Sequence, residues 1–281
     1  MKETTHHARM AEEVFDTHAH LYDDRYEQEG ISPSDVLRRA SEAGITRILI
    51  PADSIESSKA AIDYVKAHDG ESGVSLFCSV GIHPHEASSY DPAADRQLRL
   101  WLGDREALKI KALGEIGLDY YYDLSPRDIQ RDVFRRQLDM AYDLDIPVII
   151  HNRESTGDLI DILREFTSRG RLRNNPGVIH CCSTSPEIAK ELVGMGFYIG
   201  VDGPLTYKNN KNTPAICEAV PLSRIVIETD SPYLTPEPNR GRINEPEHVT
   251  FVADRLAGIK GITVDEAVRA TTANGLAMYE I

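Results

Sequence analysis

The sequence predicts a (β/α)8 barrel of the TIM type, and three observations carry this expectation. Short β runs alternate with amphipathic helical segments along 281 residues, a length that suits one large α/β domain. Strand interiors are near-continuous apolar runs, as in Arg47-Ile-Leu-Ile-Pro51 and Pro147-Val-Ile-Ile-His151, the mark of parallel strands buried on both faces. Unusual polar residues stand where strand candidates stop, and in a barrel such ends converge on one bowl. A doubly wound open sheet is the structural alternative.

The elements follow in order. Strands are expected at Val14–Thr17, Arg47–Pro51, Leu76–Gly81, Ile110–Glu115, Pro147–His151, Val178–His180, Phe197–Gly200 and Arg224–Glu228. Helices fill the gaps at Ser34–Ala43, Ile55–Ala67, Ala93–Gly103, Pro126–Leu144, Thr156–Ser168, Ser185–Val193, Thr213–Ala219 and Glu247–Ala257. A last helix, Val264–Tyr279, closes the chain. Ser125-Pro126 and Ser185-Pro186 have the cap-then-proline look of helix starts. Residues 1–10 are polar and read as a mobile arm, so His6-His7 is set aside. Residues 11–281 read as a single barrel domain.

Bulk composition narrows the function. The chain is 41% hydrophobic and 27% charged, ordinary for a soluble globular protein. No stretch approaches the roughly 20 apolar residues that span a bilayer, and the N-terminus has no apolar signal core. Cys78, Cys181, Cys182 and Cys217 lack zinc-ribbon spacing and agree with a reducing compartment. A cytoplasmic protein without membrane partner or organic cofactor is therefore expected; oligomeric state is left open. The net charge of −14 argues against passive nucleic-acid binding by mean field. It leaves room for a metalloenzyme whose ions and local basic residues attract a polyanion.

His18 and His20 supply the first site signal. They lie two residues apart at the end of the first strand run, where positions i and i+2 share a face. Two imidazoles on one face can grip one ion. The other strand ends add Glu115, His151, His180 and Asp230. Six imidazole or carboxylate groups exceed what one ion with an open position needs. They suit two divalent ions sharing a bridging carboxylate, for which Glu115 is the natural choice. His18, His20 and Asp230 then complete one ion, and His151 and His180 the other. These donors admit Zn, Mn, Fe, Ni or Co, and less readily Mg.

At these residues the chain resembles the TatD family of metal-dependent deoxyribonucleases, within the amidohydrolase-like barrels. The matching segments are Phe15-Asp16-Thr17-His18-Ala19-His20, Gly81-Ile82-His83-Pro84-His85, Gly114-Glu115-Ile116-Gly117-Leu118-Asp119-Tyr120, Ile150-His151-Asn152-Arg153, Ile179-His180-Cys181, Glu228-Thr229-Asp230-Ser231-Pro232-Tyr233 and Asn244-Glu245-Pro246. They run nearly end to end. The resemblance implies the barrel, a divalent-metal phosphodiesterase acting on 3′ ends of DNA, and metal ligation by His18, His20, Glu115, His151, His180 and Asp230. Cys182, Val201-Asp202-Gly203 and Arg242-Ile243-Asn244 depart from the family pattern, and none of these departures removes a ligand.

In that reading Asp230 orients the attacking water and takes its proton, and Glu115 bridges. His83 and Arg153 stand beside the ligands and could hold the scissile phosphate; Arg153 could instead pair with Glu154 or Asp158. Tyr120, with Tyr121 and Tyr122, could stack on an unpaired base or pack into the wall. His85 suits a turn or a supporting contact. Lys208-Asn209-Asn210-Lys211-Asn212 reads either as a phosphate contact or as a solvated loop, and Glu228 as a support behind the ligands or a weak third-ion ligand. Gly114 and Gly117 would ease the backbone past Glu115. The rival function is another hydrolase on the same site, acting on aminoacyl-tRNA esters, amides or lactones, because an activated water also attacks a carbonyl. A non-catalytic binding protein fits the ligand set poorly.

Overall fold

A computed structural model describes residues 10–281. Eight parallel strands follow one another in chain order around the sheet. They are β1 (Val14–Asp16), β2 (Ile45–Ile50), β3 (Ser75–Val80), β4 (Ile110–Asp119), β5 (Val148–Arg153), β6 (Gly177–Ile179), β7 (Tyr198–Val201) and β8 (Ile225–Ile227). The barrel closes just past β8 and β1. The Thr17 amide donates to the Ile227 carbonyl (3.2 Å) and the Asp230 amide to the His18 carbonyl (2.9 Å), and Ala19 bridges Ser231 in parallel. Helices alternate with the strands close to their expected bounds, as at Ile55–His68, Thr156–Ser168 and Val264–Tyr279. No described helix is long and apolar enough to cross a membrane, and the four cysteines are free.

The barrel interior explains where the polar residues go. One buried cluster takes one side chain from each strand: Phe15, Leu49, Phe77, Ala112, Ile149, Val178, Tyr198 and Val226. Met278 and Tyr279 of the last helix join it, and the Tyr279 hydroxyl donates to the Thr17 carbonyl (3.2 Å). Side chains two residues further along a strand face the same way. Ile149, Val178 and Val226 therefore prescribe that His151, His180 and Glu228 point into the bowl.

Three local differences from the sequence reading have physical causes. β4 does not end at Glu115. It runs on to Asp119, with a register shift between Leu113 and Ile116 against β5, so Glu115 rides a bulge inside the strand. Such a bulge re-aims a side chain. Ser125 does not cap the helix Arg127–Asp143, because its hydroxyl donates to the His85 carbonyl and accepts from the Ser88 amide. Ser185 does cap its helix, accepting from the Ile188 amide at 3.3 Å. Residues 1–9 of the expected arm lie outside the described residues. Met10, its last residue, is buried and donates its amide to the Ala43 carbonyl (3.1 Å), because an apolar side chain there completes the packing against Gly44.

Beside the bulge, Gly117 has φ 138°, and a Cβ there would stand 2.0 Å from the His151 carbonyl oxygen. Gly117→Ala should therefore wedge β4 from β5. The expected cost is at least about 2 kcal/mol, read as a lowered midpoint in thermal unfolding; an unchanged midpoint would refute the account.

Candidate metal centre

The chain passes from β1 into Thr17-His18-Ala19-His20 with its backbone tied on both sides. The Ala19 amide donates to Leu49 (3.0 Å) and the His20 amide to Ser231 (2.7 Å). Behind it, the buried Asp16 carboxylate accepts from the Thr229 hydroxyl (2.6 Å) and the Thr229 amide (3.0 Å). That clamp sets β1 against the loop carrying Asp230. Asp230 itself has φ 55°, a left-handed conformation that Asp tolerates better than most residues.

Donor atoms converge on one point. His18 Nε2 lies 3.2 Å from His20 Nε2, 2.8 Å from Glu115 Oε1 and 3.5 Å from Asp230 Oδ1. His20 Nε2 is 3.4 Å from each of the same two carboxylate oxygens. Donors around one ion at about 2.0–2.2 Å stand roughly 2.8–3.6 Å apart, so these residues fit a divalent cation. His18 Nδ1 is buried without a hydrogen-bond partner.

Glu115 also reaches the other way. Its Oε2 lies 3.7 Å from His151 Nδ1 and 3.8 Å from His83 Nε2. Three groupings thus share Glu115: with His18 and His180, with His83 and His151, and with His20 and Asp53. His180 stacks on His18 with ring centroids 3.6 Å apart, and its Nε2 is 3.6 Å from Asp230 Oδ1. His180 and His151, expected as partners, stand in different groupings on the two sides of Glu115.

Outer contacts fix which nitrogen of each ring is available. His151 Nε2 faces Asp119 Oδ2 at 3.0 Å, so this nitrogen carries the proton and Nδ1 keeps its lone pair toward Glu115. His180 Nδ1 bonds the buried Glu228 carboxylate, which leaves Nε2 toward Asp230. Both are the carboxylate–histidine arrangement that orients metal-binding imidazoles. Glu228 has room only because position 200 is glycine: a Cβ there would fall 1.6 Å from Glu228 Oε1. His83 differs. Its Nδ1 accepts the His85 amide at 3.2 Å, so the neutral ring carries its proton on Nε2 and donates into the bowl.

Charge is sorted by these contacts. Burial disfavours ionisation of Glu115 and Asp230, but the imidazoles facing them outweigh it and hold both below the usual carboxylate range. Burial pushes His83 well below the usual imidazole range, with His151 nearby adding to the effect. Behind the bowl burial pushes Asp16 up to about 8, and burial with the Glu228 charge pushes Asp202 up to about 7.

Two side chains escaped the sequence reading. Asp119 accepts from His151 and also from His85 Nε2 (3.0 Å), while its Oδ1 takes the Tyr121 and Tyr122 amides. Asp53 groups with His20 and Glu115; it is the first charged residue after the apolar run of β2, so the strand-end rule applied there would have found it. Tyr120, expected at the substrate, is committed to the wall: its hydroxyl donates to Asp158 (2.5 Å) and the Arg127 guanidinium covers its ring (4.4 Å). Arg153 pairs with neither Glu154 nor Asp158; Asp158 is taken by Arg131 (2.9 Å). In the 208–212 loop, Asn210 and Asn212 bond loop carbonyls of Pro204 and of Ser183 and Thr184.

A family model described as TatD related DNase matches residues 15–280. A Bacillus subtilis (strain 168) protein named "Uncharacterized metal-dependent hydrolase YabD" is 35% identical, over 95% of this chain and 99% of its own. A Cronobacter sakazakii protein named "3'-5' ssDNA/RNA exonuclease TatD" is 27% identical, over 87% of this chain and 90% of its own. The crystal structure of YJJV, a TatD homologue from Escherichia coli K12, superposes with a TM-score of 0.84 at 28% identity, covering 95% of this chain and 98% of that one.

The tautomer assignment is open to measurement. In 15N-histidine spectra at neutral pH, His83 should appear as the neutral form protonated on Nε2. A ring protonated on Nδ1 would remove it as a donor into the bowl.

Proposed function

The chain belongs to the TatD-related DNase family of metal-dependent hydrolases, and we propose that it hydrolyses phosphodiester bonds of single-stranded DNA from the 3′ end. The observation that carries this reading is Glu115, shared between two groups of imidazoles whose outer nitrogens are tied to carboxylates. His18, His20, His151, His180 and Asp230 would hold two divalent ions between them, with Glu115 reached from both sides. The name of the Cronobacter sakazakii relative supports the substrate class.

Divalent ions, when bound, supply Lewis acidity toward phosphoryl oxygens and lower the pKa of a water toward neutrality. The chain's own residues do the rest. Asp230, held ionised by the facing imidazoles, is placed to orient the attacking water and accept its proton. His83, neutral and protonated on Nε2, donates to a non-bridging phosphoryl oxygen. Arg153, on β5 two residues beyond His151, offers a planar pair of N–H groups to the neighbouring phosphate of the strand. Asp119 and Glu228 do not touch substrate; they hold His151 and His180 in the ligating tautomer.

Two measurements test the reading. Metal-loaded protein should shorten 3′-labelled single-stranded DNA stepwise, and Asp230→Ala should lower the rate by at least about 100-fold; absence of metal-dependent shortening would sink the proposal. Glu228→Gln should weaken metal binding at His180 by roughly 10- to 100-fold, measured by competition with a chelating dye, and full retention of affinity would show that Glu228 has no such role.

A further inference from the structure

We propose that Tyr121, Tyr122 and Arg153 form a rigid platform that receives one unpaired nucleobase and the phosphate beside it, on the His151 side of the centre. The proposal rests on the nuclease reading above and assigns that site its discrimination for single strands.

Exposure is the first observation. Tyr121 and Tyr122 are each 53% exposed, although both rings lie next to the bowl. They stand edge to face, with centroids 4.9 Å apart at 86°. An exposed aromatic pair loses hydration on contact with any flat apolar face, and every base offers such a face.

Charge is the second. The Arg153 guanidinium lies 4.1 Å from the Tyr121 ring centroid and 4.8 Å from that of Tyr122. Neighbouring arginines are spent on acids: Arg127 on Asp123, Arg131 on Asp158 and Arg135 on Glu165. Among the described residues Arg153 has no carboxylate within 4.0 Å. Stacked on rings, it keeps its N–H edge free for a phosphate. In a chain of net charge −14, a cation left unpaired at the rim is complementary to an anion from outside.

Registration to the centre is the third. Asp119 Oδ1 accepts the amides of Tyr121 (3.0 Å) and Tyr122 (2.9 Å). Its Oδ2 holds His151 and His85, each at 3.0 Å. The Tyr122 ring meets the edge of His85 at 5.4 Å and 89°. One buried carboxylate therefore fixes the platform and a metal-binding imidazole in a single frame. Arg153 and His151 lie on the same strand, two residues or about 7 Å apart, close to the spacing of successive phosphates in an extended strand. A base inside a duplex has both faces covered by its neighbours, so the platform favours an unpaired one.

The experiment measures shortening of 3′-labelled single-stranded oligothymidylate by the metal-loaded full chain, with an abasic residue walked through the positions nearest the scissile bond. In the wild type, one abasic position should raise KM by roughly 5- to 150-fold, the value of one base–aromatic stack. Tyr121→Ala/Tyr122→Ala should raise KM on the intact oligonucleotide by a similar factor and show no further penalty at that abasic position. Tyr121→Phe/Tyr122→Phe should restore wild-type behaviour, since a phenyl face stacks equally well. Arg153→Ala should lower the slope of log KM against log salt by about one phosphate contact. If the wild type shortens DNA and the alanine variant pays the same abasic penalty, the platform is overturned and the nuclease reading stands. If the wild type does not shorten DNA at all, both fall.

Discussion

Everything in the bowl depends on one carboxylate held between two sets of imidazoles. Glu115 faces His18 and His20 with one oxygen and His83 and His151 with the other. A strand of regular pleat would not put it there. The bulge between Leu113 and Ile116 turns it inward, and the glycines on either side leave no Cβ to collide with β5: at 114 it would meet Ile149, at 117 the His151 carbonyl. A buried carboxylate is costly unless compensated, and the imidazoles compensate this one.

Around that axis the structure separates carboxylates by task. Glu115 and Asp230 are kept ionised at the centre, whereas burial raises Asp16 and Asp202 behind it. Asp16 spends its oxygens on Thr229, and so couples the backbone of the first histidine pair to the loop of Asp230. Asp119 and Glu228 each bind the far nitrogen of one imidazole. Position, pKa and tautomer are thus imposed from outside the ring of donors.

The barrel was legible because its two signals are local: apolar runs too short for helices, and polar residues at their ends. His151 and His180 were legible because strand parity from Ile149 and Val178 dictates their inward face, and His18, His20 and Asp230 because they are polar residues just past strand ends, where the backbone beyond the strand, not parity, aims them. Glu115 was legible by type but not by place, because a bulge depends on the register of the neighbouring strand. Asp119 was hidden, its role arising only when β4 and β5 pair Asp119 with Arg153 and Gly117 with His151. The tyrosines show the limit most clearly. Three adjacent aromatics look interchangeable in sequence, yet Tyr120 meets Asp158 and Arg127 from the next helices while Tyr121 and Tyr122 turn outward.

Net charge decides what can approach such a site. An acidic body repels a polyanion, and within a Debye length of about 8 Å that repulsion is felt by every nearby phosphate. A long duplex brings many phosphates at once, so its approach is opposed most. A strand end brings few, and it can set one phosphate against divalent charge and an unpaired arginine while its last base covers exposed rings. The rim repeats this pairing of cation and ring, with Arg25 over Tyr233 and Arg240 over Tyr207. On the proposed reading the acidity of the chain is therefore a filter: attraction is confined to the centre and its rim, and only a ligand that reaches both is held.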